Sequence, residues 1–149
     1  MIVKKQFLIN ANRNDVWEVF MNPEKLATCV PGCKEIKVVS PTRYDAVVEL
    51  KAQLMKLKFQ ATGELKNAIE KEQLTVEMTG KPLAMVGLFQ NTMTVHLSDA
   101  EPGATMVDYE MDIQVSGKLA TMGSKLMKGS LSKSAGEFAE NVQSLFQHS

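Results

Sequence analysis

Two cysteines, two histidines, two tyrosines and a set of lysines are the side chains of this 149-residue sequence with the means to do chemistry. Cys29 and Cys33 stand four apart, which offers two thiolate ligands. A structural zinc site takes four, and the only imidazoles are His96 and His148. Redox exchange favours two intervening residues at a helix start, whereas Val30, Pro31 and Gly32 make a turn. The pair therefore reads as small apolar thiols shaping a proline-glycine turn, and no metal site is assigned. His96 lies between Val95 and Leu97 with opposite parity, which sends it to a polar strand face. Nucleophilic catalysis needs a nucleophile, a base and an orienting acid within hydrogen-bond reach. The strand acids Glu49, Glu77, Asp108, Glu110 and Asp112 all alternate outward, so no catalytic residue is assigned.

The elements that would position these groups follow from periodicity. Tyr44, Ala46, Val48 and Leu50 share one parity, with Asp45, Glu49 and Lys51 on the other. The same alternation returns at Met55, Leu57, Phe59 and Ala61, at Leu74, Val76 and Met78, at Met93, Val95 and Leu97, and most clearly at Val107, Tyr109, Met111, Ile113 and Val115. One wet face and one apolar face describe an antiparallel sheet, with hairpin breaks at 67–73 and 99–103. Ahead of it, Val3, Phe7 and Ile9 form a strand. Asn12 caps a helix carrying Val16, Trp17 and Phe20, and Asn22-Pro23-Glu24 opens a second short helix with Leu26 and Val30. From Gly117 to Phe146 the period is helical, with Leu119, Met122, Leu126, Met127, Leu131, Ala135, Phe138, Val142 and Phe146 in one stripe about 44 Å long. The order is β-α-α-β6-α, an α+β fold in one domain spanning 1–149, with a curved antiparallel sheet around a long C-terminal helix.

What faces inward is soft. Ten methionines occur, and Met55, Met78, Met93, Met111, Met122 and Met127 fall on the inner faces, where they either fill a curved sheet or line a space for a ligand of imprecise shape. Tyr44, Asn91 and Tyr109 would orient a ligand carbonyl or hydroxyl, or be satisfied by backbone. The candidate ligand-binding set is Ala46, Val48, Leu50, Met55, Leu57, Phe59, Met78, Met85, Phe89, Asn91, Met93, Tyr109, Met111, Leu119, Met122 and Leu126. Lys118, Lys125 and Lys128 lie close to one helix face, either as a solvated surface or as a contact for an anionic membrane or acidic partner. Glycines at 117, 123, 129 and 136 cost about 1 kcal/mol each inside a helix, and suggest close approach or a helix that shifts.

Composition bounds the function. A hydrophobic content of 44% supports a core, and 17 basic residues cancel 17 acidic ones, which removes the electrostatic footprint of a nucleic-acid binder. No apolar run approaches a membrane span of about 18 residues, and the opening residues lack a signal-peptide core, so a cytoplasmic location is expected.

Four words of the sequence carry a resemblance. They are Val16-Trp17, the run NPEKL from Asn22 to Leu26, the run CVPGC from Cys29 to Cys33, and the run GKLATMGSKL from Gly117 to Leu126. In that order and spacing the chain resembles the carbon monoxide dehydrogenase CoxG family of the helix-grip superfamily, which also holds the START lipid-transfer domains. The segment from Lys81 to Phe89 departs from it, being bulkier than the Gly-rich stretch of many relatives. No tail-based anchor is expected beyond the long helix. The resemblance implies a START-like fold and a non-catalytic carrier of an apolar molecule, an isoprenoid quinone or lipid. It also implies service to a molybdenum-containing dehydrogenase at the inner face of the membrane, with no cofactor of its own. A recruitment factor without ligand, or a cyclase or aromatase of the wider superfamily, are the alternatives.

Overall fold

The structure, a computed structural model, describes residues 2–52, 55–83, 87–117 and 124–146, and of residues 52, 55 and 124–127 the backbone alone. Strand β1 (Ile2–Ile9) leads into helices α1 (Arg13–Phe20) and α2 (Pro23–Cys29). Six strands follow, β2 (Cys33–Ser40), β3 (Arg43–Ala52), β4 (Met55–Ile69), β5 (Gln73–Pro82), β6 (Gly87–Asp99) and β7 (Thr105–Gly117), and then helix α3 (Ser124–Ser144). The strands form an antiparallel sheet in the order β1-β7-β6-β5-β4-β3-β2. Each strand from β2 onward pairs with the next, while β1 reaches across to β7.

The caps of both short helices are those the sequence indicates. Asn12 Oδ1 accepts the Asp15 N–H at 3.0 Å, and Asn22 Oδ1 accepts those of Glu24 and Lys25 at 3.1 and 3.2 Å, with Pro23 at the first helical position. Arg13 then ties α1 to the far end of the sheet, with Nε 2.9 Å from Asp99 Oδ1 and Nη1 donating to the Lys71 carbonyl.

Three local expectations are corrected. The long helix does not start at Gly117, which closes β7 opposite Gly87 with φ of +68°. That left-handed backbone fits neither a strand nor a right-handed helix interior. Residues 118–123, with Lys118, Leu119 and Met122, lie outside the described residues. Strand β4 does not break at Asn67: a bulge after Leu65 resets its parity, and Asn67, Ala68 and Ile69 pair with Thr75, Leu74 and Gln73. Cys33 is not a buried turn residue. It opens β2 opposite Val48 and is half-buried, whereas Cys29 is 1% exposed.

The core lies between the sheet's inner face and α3. Leu131, Ala135, Phe138, Ala139 and Val142 of α3 are buried. Phe138 stacks on Tyr109 with centroids 5.3 Å apart and meets Phe20 edge-on at 6.3 Å. Two polar clamps fix the C-terminal half of the helix, as Asn141 Nδ2 donates to the Cys29 carbonyl at 2.9 Å and Gln143 Nε2 to the Leu8 carbonyl at 2.7 Å. Among the described residues no helix is long and apolar enough to cross a membrane.

Candidate functional site

Strand register sorts the inner face into rows of side chains that touch across the ladder. Toward one end the rows are bulky: Leu65, Val76, Met93, Met111 and Val3; then Leu74, Val95 and Tyr109; then Leu97, Val107 and Phe7. Toward the other end two rows carry small residues on β3, β4 and β5. One runs Tyr44, Gly63, Met78, Asn91, Ile113, and the next runs Ala46, Ala61, Gly80, Phe89, Val115. Four adjacent positions, Ala46, Ala61, Gly63 and Gly80, thus carry one carbon of side chain or none. With strands about 4.8 Å apart, this is a low floor some three strands wide.

Aromatic rings wall that floor. Tyr44 lies over Gly63 so closely that an added Cβ there would clash with the ring, 2.7 Å from the hydroxyl oxygen. On the opposite side Phe59 and Phe89 tilt together with centroids 5.8 Å apart. Gly80 is less confined, since a Cβ there would meet Ala61 and Phe89 at an ordinary 3.6 Å. In the first row, between Met78 and Ile113, stands Asn91, 7% exposed, whose Oδ1 is buried without a hydrogen-bond partner among the described residues. Between Tyr44 and the short helices, a pocket of about 30 Å³ is bounded by Phe20, Leu26, Leu65 and Val76.

The titratable groups near this interior are held neutral. Burial pushes the Tyr109 phenol well above its ordinary value, and the nearby Tyr44 phenol pushes in the same direction. Tyr44 is raised by burial and then by Cys33, and burial raises both the Cys29 and Cys33 thiols. Each desolvated group keeps its proton because burial strips water from the charged form, a loss that the Thr28 hydroxyl beside Cys29 only partly offsets. Neither cysteine is therefore a ready thiolate. Among the described residues no three His, Cys, Asp or Glu side chains group as metal ligands. His96 is exposed, opposite Asp108 on the outer face.

The positions read from the sequence distribute unevenly. Ala46, Leu57, Phe59, Asn91, Tyr109 and Met111 are buried on the inner face, and Val48, Leu50, Met78, Phe89 and Met93 are half-buried there. Ala46, Met78, Phe89 and Asn91 surround the low floor. Met93, Tyr109 and Met111 stand instead in the bulky rows. Met55, Leu126 and Lys125 are described by backbone alone, Met85 lies outside the described residues, and Lys128 is exposed. Ala61, Gly63 and Gly80 were not singled out by sequence reasoning. Their signal is small size at inward parity in strands whose other inward residues are large.

The carbon monoxide dehydrogenase CoxG family matches residues 6–146. No curated protein matches the chain. A conserved protein from Geobacillus kaustophilus superposes with a TM-score of 0.87 at 19% identity, over 98% of this chain and 95% of that one. A START superfamily protein from Mycobacterium smegmatis gives 0.76 at 14%, covering 98% and 97%. The ZhuI aromatase/cyclase from Streptomyces sp. R1128 gives 0.73 at 9%, covering 99% and 93%. At such identities the structures share the fold, which is the START-like helix-grip arrangement of a curved antiparallel sheet around a C-terminal helix.

Proposed function

This chain belongs to the carbon monoxide dehydrogenase CoxG family, and from that premise we propose that it is a non-catalytic carrier of an apolar small molecule, an isoprenoid quinone or a lipid. The whole chain acts as one ligand-binding unit, and the ligand lies on the inner face above Ala46, Ala61 and Gly80. It serves a molybdenum-containing dehydrogenase of the carbon monoxide dehydrogenase type on the cytoplasmic side of the membrane, with Lys118, Lys125 and Lys128 as the surface for partner or bilayer.

Asn91 carries the reading. A buried carboxamide oxygen left unpaired costs about 1–3 kcal/mol, so an Asn among Met78, Phe89 and Ile113 is wasteful unless something else completes it. A carboxamide both donates and accepts, and thus matches a carbonyl as well as a hydroxyl. A ring bearing such groups on an apolar tail would satisfy Asn91 at one end and bury hydrocarbon at about 25 cal/mol per Å² along the other. The neutral phenols and thiols offer polarity without a nucleophile or base, which favours holding over turnover.

The test is organic extraction and mass spectrometry of the natively purified protein beside Ala46→Trp and Asn91→Leu. The carrier reading expects a quinone or fatty-acyl species near one per chain in the wild type. Ala46→Trp, which fills the low floor, should lose it while remaining folded. Asn91→Leu should lose most of it and yet raise the melting temperature of the emptied protein, because an unpaired polar group has been replaced by an apolar one of similar shape. A wild-type protein that is empty after mild purification, and takes up no added quinone or lipid, would turn the assignment to recruitment through the surface.

A further inference from the structure

Strand β2 begins opposite Val48, so the last residues of β3 form a sheet edge, held there by one backbone bond from Glu49 N–H to the Gly32 carbonyl at 2.8 Å. Helix α3 passes in front of this edge. The cleft between them has a volume of about 450 Å³, and four lysines line it: Lys34 and Lys51, Lys56 and Lys133, with Glu49 and Glu137 as the acids. In a chain of zero net charge this places four positive charges against two negative ones. Among the described residues, none of the six is in an ion pair.

The arrangement is costly unless it is used. Lys51 and Lys56 are direct cross-strand partners, two like charges opposed across a hairpin, whereas the next outward pair, Glu49 and Lys58, is complementary. Opposed like charges destabilise a sheet and opposite ones stabilise it. An anion seated between the lysines reverses the sign of that interaction. The cleft is also furnished with neutral donors: Ser130 and Ser134 line it from successive turns of α3, and the alternation that aims Glu49 N–H at Gly32 turns Lys51 N–H to the same uncovered side. Leu50, an inner-face residue, lines it too, so the cationic cleft adjoins the apolar interior.

We infer that this cleft binds a phosphate group. Four ammonium groups, two hydroxyls and an edge amide suit a compact, multiply hydrogen-bonded anion better than a planar carboxylate, which is the province of a guanidinium fork. An anionic lipid headgroup is the source that its neighbours fit, because Lys128 is exposed on the same helix and Leu83, 62% exposed, is bonded through its N–H to Lys58 of the adjoining strand. A cationic rim with an exposed leucine suits a bilayer surface. This inference does not depend on the carrier reading, since its test uses no apolar ligand in the interior.

The experiment is co-sedimentation of the full chain with phosphatidylcholine vesicles, with and without phosphatidylglycerol, alongside amide NMR titration with inorganic phosphate. Binding to the anionic vesicles alone is expected. Lys51→Gln with Lys56→Gln should weaken it about 30-fold, the equivalent of roughly 1 kcal/mol per lysine at an anionic surface. Lys133→Gln, on the other wall, should weaken it about fivefold. Lys4→Gln, whose parent pairs with Glu110 on the outer face, should not change it. Phosphate shifts confined to Lys51, Ser130 and Ser134, without vesicle binding, would uphold the site and assign it to a soluble phosphate compound. Vesicle binding unchanged by the cleft substitutions, together with no shift on adding phosphate, would overturn it.

Discussion

The two ends of the inner face use one sheet for opposite purposes. Around Leu74, Val95 and Val107, each 1% exposed or less, the rows are bulky and, apart from the Tyr109 phenol, apolar, and α3 is sealed over its side by Val142 and by the Asn141 and Gln143 clamps. Around Ala46, Ala61, Gly63 and Gly80 the rows are nearly bare, Tyr44, Met78 and Phe89 beside them are half-buried, and the buried Asn91 Oδ1 has no partner among the described residues. Alternation is equally regular in both, so it cannot be what distinguishes them. What differs is the volume placed at inward positions. The first end spends its burial on stability, and the second gives up hydrocarbon contacts that a core would normally make.

Leu74→Ala probes the packed end and carries the largest expected effect. Leu74 is 1% exposed, and loss of its buried methyl groups with the cavity left behind should cost about 2–5 kcal/mol. Urea unfolding measures it, and the ligand content of the protein that remains folded should not change. A cost below about 1 kcal/mol would mean that this end relaxes freely and is not the anchor of the fold.

Gly63→Ala tests the bare end from the opposite direction, by adding volume. Its Cβ would clash with the Tyr44 ring, so the ring must shift from its place over the strand, at a cost of about 1–3 kcal/mol for overpacking. The same change in a Tyr44→Ala background should be much less costly, and the double-mutant cycle reports the coupling. Gly80→Ala is the control, since its Cβ meets only ordinary contacts at 3.6 Å. Equal costs for Gly63→Ala and Gly80→Ala would remove the distinction between wall and floor.

How much of this was legible depends on the range over which each feature is encoded. Period-two alternation is local, so Val107 to Ile113 announced a strand with one wet face, and parity alone placed Asn91 inside. The caps at Asn12 and Asn22 are local as well. The end of β7 is harder to read, because the period-two run stops at Val115 and helical spacing begins at Leu119, and only the pairing of Gly117 with Gly87 shows that the strand still runs there. The low floor was invisible for a stronger reason. Ala46, Ala61 and Gly80 are far apart in sequence and become neighbours through register alone. The bulge after Leu65 and the irregular start of β2 at Cys33 hide register further. The lysine cleft needed the tertiary meeting of α3 with the β3 edge, although the opposed Lys51 and Lys56 could have been read from the hairpin.

The seam between the two ends is polar, and pH tests it with the smallest effect. Tyr109 belongs to a bulky row yet feels the Tyr44 phenol, which borders the bare floor. Burial raises both phenols, and both cysteine thiols, above their ordinary values of 10.0 and 9.0. A group raised in the folded state gives up its proton first in the unfolded chain. Its contribution to stability is therefore whole below the unfolded value and is lost as pH rises through that value toward the folded one. Melting temperature should hold level from about pH 7 to pH 8.5 and fall beyond about pH 9, thiols first and phenols after. Tyr109→Phe should flatten the upper part of that fall and leave the lower part alone, while Cys29→Ala should do the reverse. If Tyr109→Phe leaves the alkaline slope as steep as in the wild type, the phenol is already hydrated in the folded protein, and the seam opens to water rather than separating a packed end from a space reserved for ligand.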